Sequence, residues 1–89
     1  IDLNAKDAHT RYMIGALLNE QGKFAEAVEL LQRSLVLRPN HPDTLAQLGL
    51  ALVRVGRSDE GLKAWRTALQ MQPGHAQAAA WLQAAAATK

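Results

Sequence analysis

The side chains best suited to chemistry in this 89-residue chain are histidines, two of which recur at a fixed interval. His41 and His75 are 34 residues apart, and each follows a proline by two positions. Imidazole is a common metal ligand, but neighbouring repeats of a helical stack lie about 10 Å apart, which is too far for one shared ion. The chain has no cysteine, and no carboxylate recurs beside the histidines, so the sequence predicts no metal site. We expect each histidine to cap or decorate a turn instead.

Enzyme catalysis has equally little support in the sequence. The acid–base side chains on the surface that we expect to face a partner are His9, Tyr12 and Asp43. The chain has no glycine-rich phosphate loop and no nucleophile motif. Scattered groups of these types are typical of a solvated surface. The sequence therefore predicts a protein that is not an enzyme, with no catalytic residue and no cofactor.

The interval of 34 residues organises the whole chain. Residues 8–41 align with residues 42–75 without a gap, and apolar positions coincide along the alignment. The coinciding glycines and prolines are Gly15 with Gly49, Gly22 with Gly56, and Pro39 with Pro73. A repeat of this length indicates stacked helical hairpins, each unable to bury its apolar face alone.

The apolar periodicity and the glycine and proline breaks predict five helices. They span about residues 8–21, 24–37, 42–55, 58–71 and 76–87. We expect Asp7 to be the N-cap of the first helix and Gly22 to end it in the left-handed conformation. Gly15 and Gly49 lie inside helices, where glycine costs about 1 kcal/mol relative to alanine. We therefore expect a neighbouring helix to approach both glycines closely.

All of these helices belong to one domain. Residues 1–7 are predicted to be the tail of a preceding repeat, residues 8–41 and 42–75 to be two full repeats, and residues 76–89 to be a capping or partial third repeat. The first residue is isoleucine rather than methionine, so we expect the chain to be part of a longer protein.

Charge and hydropathy exclude two kinds of partner. The net charge is +2, and the basic residues are scattered among acids on turns and second helices. Repeats that bind nucleic acid instead align basic residues along the backbone path, so no nucleic-acid partner is predicted. The longest strongly apolar run, residues 48–53, is far shorter than the roughly 20 residues of a membrane span. No membrane insertion is expected.

The two repeats share a set of small and apolar residues with a known family. In the first repeat these are Ile14, Gly15, Leu18, Gly22, Phe24, Ala27, Leu31, Ser34, Leu37 and Pro39. In the second they are Leu45, Leu48, Gly49, Leu52, Gly56, Trp65, Ala68, Met71 and Pro73. The pattern resembles the tetratricopeptide repeat (TPR). The resemblance implies an all-α fold, a right-handed superhelix of antiparallel helix pairs, and a protein-binding role.

Three positions depart from the family pattern. Arg11 stands where the family prefers tryptophan, while Ser58 and Gly61 replace the usual aromatic residue and alanine. Smaller side chains fill less space, so we expect looser packing at the start of the fourth helix within the same fold.

The resemblance also implies which residues face a partner, because in TPR proteins the first helix of each pair lines the concave surface. The predicted partner-binding residues are His9, Tyr12, Met13, Ala16 and Asn19 from the first helix, Asp43, Ala46, Gln47, Leu50, Val53 and Arg54 from the third, and Trp81 from the fifth. Leu50 and Val53 add apolar groups beyond those expected in the core. They indicate either an apolar groove with a polar rim or two residues that pack against a long side chain or a second copy of the chain.

Two known kinds of TPR groove do not match these positions. Repeats that clamp the C-terminal carboxylate of heat-shock chaperones use lysine, arginine and asparagine, whereas this chain has Tyr12, Ala16, Gln47, Gln77 and Trp81 at those places. Without a cation there, a carboxylate has no partner. The asparagine ladder of repeats fused to O-linked N-acetylglucosamine transferases would require asparagine at Met13, Gln47 and Trp81.

Two functions from different classes remain after these exclusions. The first is a binding module that takes an apolar or amphipathic segment of a protein or peptide partner in its groove. The second is a structural module whose copies assemble through their terminal helices, because the fifth helix is apolar on several sides and an end cap should be polar outside.

Overall fold

A computed structural model describes residues 3–87 of the chain, and the side chains of residues 6–85. The described residues form five α-helices, and no strand occurs among them. The helices are α1 (Leu3–Glu20), α2 (Phe24–Leu37), α3 (Pro42–Arg54), α4 (Ser58–Met71) and α5 (Ala76–Ala87). Contacts between α1 and α2, and between α3 and α4, define two hairpins, while α2 packs on α3 and α5 packs on α4. The predicted all-α fold of stacked helix pairs is confirmed.

The predicted bounds of α2, α4 and α5 agree with the structure, and α3 ends one residue earlier than expected. The predicted start of α1 was wrong. The helix begins at Leu3, so Asp7 lies inside it and is not an N-cap. The physical reason is that Ala5 occupies the place of Pro39 in the alignment, and alanine, unlike proline, does not interrupt a helix. Ile1 and Asp2, from the predicted tail of a preceding repeat, and Thr88 and Lys89 lie outside the described residues.

Both hairpins turn on a glycine in the left-handed conformation. Gly22 has φ 79° and Gly56 has φ 89°. In each turn the N–H of the residue after the glycine donates a hydrogen bond to the carbonyl oxygen five residues earlier. Lys23 donates to Leu18 and Arg57 donates to Leu52, both at 2.8 Å. This is a Schellman motif, which satisfies carbonyls at the helix end. The predicted role of Gly22 is confirmed.

The close helix approach predicted at the mid-helix glycines is also confirmed. A Cβ atom on Gly15 would lie 2.6 Å from the Leu31 side chain, and one on Gly49 would overlap the Trp65 indole. Leu31 and Trp65 are buried and occupy equivalent positions in α2 and α4. The glycines therefore make room for large buried side chains of the facing helices.

The expectation of looser packing at Gly61 was wrong. A Cβ atom there would lie 2.6 Å from Cγ2 of Val53 and 2.7 Å from the carbonyl oxygen of Gly49. The backbones of α3 and α4 thus meet through two glycines, Gly49 and Gly61. The missing methyl group lets α4 approach α3 more closely, which is the opposite of leaving a gap.

The core consists of two clusters that meet on α3. The first joins α2 to α3 and contains Ala27, Val28, Leu31, Leu48, Ala51 and Leu52. The second joins α3, α4 and α5 and contains Ala46, Trp65, Ala68 and Ala78. The buried Ser34 hydroxyl donates to the Ala8 carbonyl at 2.8 Å, so a polar contact also holds α1 against α2.

We expect Gly61→Ala to destabilise the fold, although alanine is the residue that the family favours there. Overpacking against the Gly49 carbonyl and Val53 costs about 1–3 kcal/mol, and the preference of a helix for alanine recovers roughly 1 kcal/mol of this. The difference is a fall of about 0–2 kcal/mol in the free energy of unfolding in urea, and we expect the upper part of this range because the Gly49 carbonyl is a backbone group that cannot rotate away.

Gly74→Ala is the matched control, because a Cβ atom on Gly74 has no neighbour within 4 Å. It should change the free energy of unfolding by less than about 0.5 kcal/mol. Equal stability of the two variants would contradict the tight α3–α4 contact.

Candidate partner-binding surface

The first helix of each pair, and the unpaired α5, lie side by side. Helix α3 contacts both α1 and α5, so residues from all three helices share one surface. We call this the α1–α3–α5 surface and define it by the twelve residues predicted to face a partner. Among these residues are a polar group around Tyr12, two residues whose side chains are engaged inside the protein, and an apolar group on α3 and α5.

The polar group centres on Tyr12. Its ring packs edge-on against the ring of His41, with centroids 5.2 Å apart and planes at 90°, and His9 lies on its other side at 6.2 Å. Nδ1 of His41 shares a hydrogen bond with the Thr44 hydroxyl. The sequence did not predict His41 as part of this surface, since its contact with Tyr12 depends on how the two hairpins stack.

The local environment shifts two pKa values in this polar group. Burial, reinforced by the Asp43 carboxylate, raises the pKa of the Tyr12 hydroxyl. Burial lowers the pKa of His41, and the charge of Arg38 lowers it further, while Asp43 opposes them. Both shifts favour the neutral side chain, so Tyr12 and His41 offer an aromatic, hydrogen-bonding surface near neutral pH.

Two predicted residues are engaged inside the protein. Asn19 is buried, and its Nδ2 donates to the backbone carbonyl of Gln47 at 3.1 Å and to Oε1 of Gln47 at 2.9 Å. Ala46 is fully buried, and its carbonyl accepts a hydrogen bond from the Trp65 indole at 2.9 Å. Their contacts hold α1, α3 and α4 together, which leaves neither side chain available to a partner.

The apolar group lies at the junction of α3 and α5. A cleft of about 210 Å³ is lined by Leu50, Val53, Arg54, Trp65, Trp81, Ala84 and Ala85. The Trp65 and Trp81 ring centroids are 6.0 Å apart. Four of the predicted residues, Leu50, Val53, Arg54 and Trp81, therefore come together here. Trp65 was not among the predicted partner-binding residues, so its place at this cleft was not predicted.

Two further predicted residues lie on α1. Met13 is exposed and Ala16 is half-buried. The Arg54 guanidinium carbon lies 5.9 Å from the centroid of the Phe24 ring, within the range of a cation–π contact.

Asp43 is engaged at the N-terminus of α5. One of its carboxylate oxygens lies 2.6 Å from Nε2 of His75, a residue that is only 5% exposed. Nδ1 of His75 accepts the backbone N–H of Ala78 at 3.1 Å. The expectation that this histidine caps a turn is confirmed, because His75 precedes the first residue of α5 and satisfies one of its free amides.

Within residues 3–87, no group of three histidine, cysteine, aspartate or glutamate side chains lies close enough together to hold a metal ion. None of the described helices combines the length and the apolar character that a membrane span requires.

Antiparallel helix pairs with glycine turns, stacked so that their first helices share a surface, define an α-helical repeat solenoid. Proteins of this class act as scaffolds for protein–protein interaction. A protein-family model described as TPR repeat matches residues 15–56, and a second family model, described as Tetratricopeptide repeat, matches residues 46–88. The chain belongs to the tetratricopeptide repeat family, and it is a protein-interaction module.

Two curated relatives share this region. The peroxisomal targeting signal receptor of Candida glabrata is 28% identical over 76 residues, which cover 85% of this chain and 13% of the receptor. The BBSome complex member bbs-4 of Caenorhabditis elegans is 32% identical over 74 residues, which cover 83% of this chain and 16% of that protein. The chain thus spans less than a fifth of either relative.

Two solved structures have the same fold. MamA superimposes with a TM-score of 0.76 at 24% identity, over 83% of this chain and 43% of MamA. YrrB, described as a TPR protein with an unusual peptide-binding site, superimposes with a TM-score of 0.79 at 23% identity, over 93% of this chain and 43% of YrrB. At these identities the likeness establishes the fold alone.

We expect Arg38→Gln to raise the pKa of His41 towards its ordinary value of about 6.5, because a nearby cation disfavours the imidazolium. The pKa can be measured by NMR titration of the His41 ring proton. Arg33→Gln is the control, since the Arg33 guanidinium pairs with Glu29 at 3.2 Å. A pKa of His41 that is the same in both variants would contradict this account.

Proposed function

We propose that the chain binds an apolar or amphipathic peptide segment of another protein on the α1–α3–α5 surface, with the apolar cleft as the main anchor site. The observation that carries this proposal is the cleft itself, where Leu50, Val53, Trp65 and Trp81 converge. Aromatic and aliphatic pockets of this kind hold the side chains that contribute most to binding.

The charged groups around the cleft support an amphipathic partner. Arg54 is exposed at its rim, and the half-exposed Asp43 lies nearer the other end of α3. These opposite charges are suited to orient a peptide whose central residues are apolar. YrrB, which shares the fold, is described as having a peptide-binding site, and this supports the proposal by analogy.

The binding test uses peptides of about 12 residues, long enough for three helical turns, selected from a random display library against the immobilised chain. Leu50→Glu and Ala84→Glu should each weaken binding of the selected peptide by about tenfold or more, as expected when a charge enters an apolar anchor pocket. Ala84 is exposed, so its substitution should leave the helical content measured by circular dichroism unchanged.

Val36→Glu is the matched control, because Val36 is exposed on α2, outside the α1–α3–α5 surface. It should bind the peptide as the parent chain does. Val53 is a poor test position, since its side chain packs against Gly61. Peptide-induced NMR shifts that map to α2 and α4, with none at Leu50 or Trp81, would refute the proposal.

We also infer a second function, self-assembly through a terminal helix, from an exposed apolar face on α1. Ile14 and Leu17 are 43% and 53% exposed. Their equivalents one repeat later, Leu48 and Ala51, are 7% and 0% exposed because they pack into the cluster formed with α2. The same face of α1 is suited to take a terminal helix of a second copy.

If this second function holds, the mass measured by light scattering should rise with protein concentration, and Ile14→Glu with Leu17→Glu should abolish the rise. Two buried charges oppose association because each must lose its water. Met71→Glu, on an exposed part of α4, should still associate. A parent chain that stays monomeric at high concentration would end this proposal.

A further inference from the structure

The N-terminus of α5 is attached to α3 through a single buried imidazole. His75 bridges Asp43 on α3 and the backbone amide of Ala78 in α5. We propose that protonation of His75 weakens the docking of the N-terminus of α5 on α3, so that acidification loosens one wall of the apolar cleft. This regulation of binding rests on the proposed function, whereas the weaker docking of α5 does not.

The hydrogen bonds of His75 define the form of its ring. Nδ1 accepts the Ala78 N–H and therefore carries no proton, so the neutral ring holds its proton on Nε2. That N–H donates to the Asp43 carboxylate, 2.6 Å away. Both ring nitrogens are thus satisfied only in the neutral Nε2–H form.

Protonation of Nδ1 has three unfavourable consequences at this position. The new N–H points at the Ala78 N–H, so the capping hydrogen bond is lost. A positive charge appears at a helix N-terminus, where the helix dipole is also positive. The imidazolium is 95% shielded from water, since His75 is 5% exposed. The attraction to Asp43 opposes these effects, and solvent around the half-exposed carboxylate weakens that attraction.

The other charged groups near His75 do not replace this contact. His41 is close enough for an electrostatic interaction with His75. The charged residues of α4, which are Asp59, Glu60, Lys63 and Arg66, are exposed. Residues 76–85 of α5 are alanine, glutamine, tryptophan and leucine, none of which titrates. His75 and Asp43 therefore form the titratable pair at the junction of α3 and α5.

Helix α5 also makes apolar contacts beyond its first turn. Ala78 is fully buried, and the partly buried Trp81, Leu82 and Ala85 pack against the cluster that contains Trp65. These contacts remain when the cap is lost, so protonation loosens the N-terminus of α5 and does not detach the helix. Because Trp81 and Ala84 line the cleft, looser docking of α5 alters the proposed binding surface.

His41 provides a matched control within the same chain. It occupies the equivalent position before α3, but it makes no side-chain capping hydrogen bond to that helix. Leu48, Ala51 and Leu52 bury α3 in the core independently of His41. Protonation of His41 should leave α3 in place.

The first experiment measures α5 docking without a peptide. Amide hydrogen exchange of Ala78 and Ala79, corrected for intrinsic rates, is compared between about pH 7.5 and about pH 5.0, a range that spans the titration of histidine. The protection factor should fall by about fivefold at the lower pH, the equilibrium effect of losing one helix cap. The ¹⁵N shifts of the His75 ring should report the Nε2–H form at the higher pH.

Three variants separate the causes. His75→Asn keeps an N-cap acceptor that does not titrate, so protection should no longer depend on pH. His41→Asn should respond as the parent chain does. Asp43→Asn removes the negative charge that attracts the imidazolium, so the fall in protection at the lower pH should be larger than in the parent chain. Unchanged protection in the parent chain, or the same fall in His75→Asn, would overturn the proposal.

The second experiment adds the selected peptide, and its outcome separates the switch from the binding function. Weaker peptide binding at about pH 5.0 together with lower protection of α5 supports both. Lower protection of α5 in a chain that binds no library peptide supports the switch and refutes the binding function. Equal peptide affinity at both pH values, with α5 still docked, refutes the switch and leaves the binding function intact.

Discussion

The fit between the Trp65 indole and Gly49 is the contact on which the structure depends. The ring occupies space that any side chain at position 49 would fill, and its N–H donates to the Ala46 carbonyl at 2.9 Å. This contact sets how closely α4 approaches α3. It also places the ring beside Trp81 and at the apolar cleft. The same side chain therefore belongs to the core and to the proposed binding surface, which gives the cleft a rigid wall.

Equivalent positions in the two repeats behave differently because their neighbours differ. His75 finds Asp43 one repeat earlier, whereas His41 finds His9 at the corresponding place. Two imidazoles cannot form the charge-assisted pair that an imidazole and a carboxylate form. The ring of His41 contacts Thr44 and Tyr12 instead. One substitution between repeats thus converts an interhelical bridge into a partly exposed aromatic cluster, although the backbone follows the same path.

Features that depend on the local sequence were predictable, and features that depend on pairs of distant side chains were not. Gly22 ends its helix as predicted, since left-handed turns strongly favour glycine. The role of Gly61 was misjudged because a missing methyl group can leave a gap or permit closer approach, and only the position of α3 decides between them. Asn19 was assigned to the partner surface by its place in the repeat, but its amide is buried against Gln47. The cleft residues on α3 and α5 were predictable because the period places them together.

The amide pair between Asn19 and Gln47 constrains how the two hairpins can align. Leucine contacts alone would tolerate a slip of α1 along α3, because apolar attraction is not directional. A slip of one helical turn would separate the Asn19 amide from both of its acceptors, at a cost of about 1–3 kcal/mol for a buried donor left without a partner. The hydrogen bond between Asn19 and Gln47, which are 28 residues apart in sequence, therefore disfavours misaligned stacking of the hairpins that the surrounding apolar contacts alone would permit.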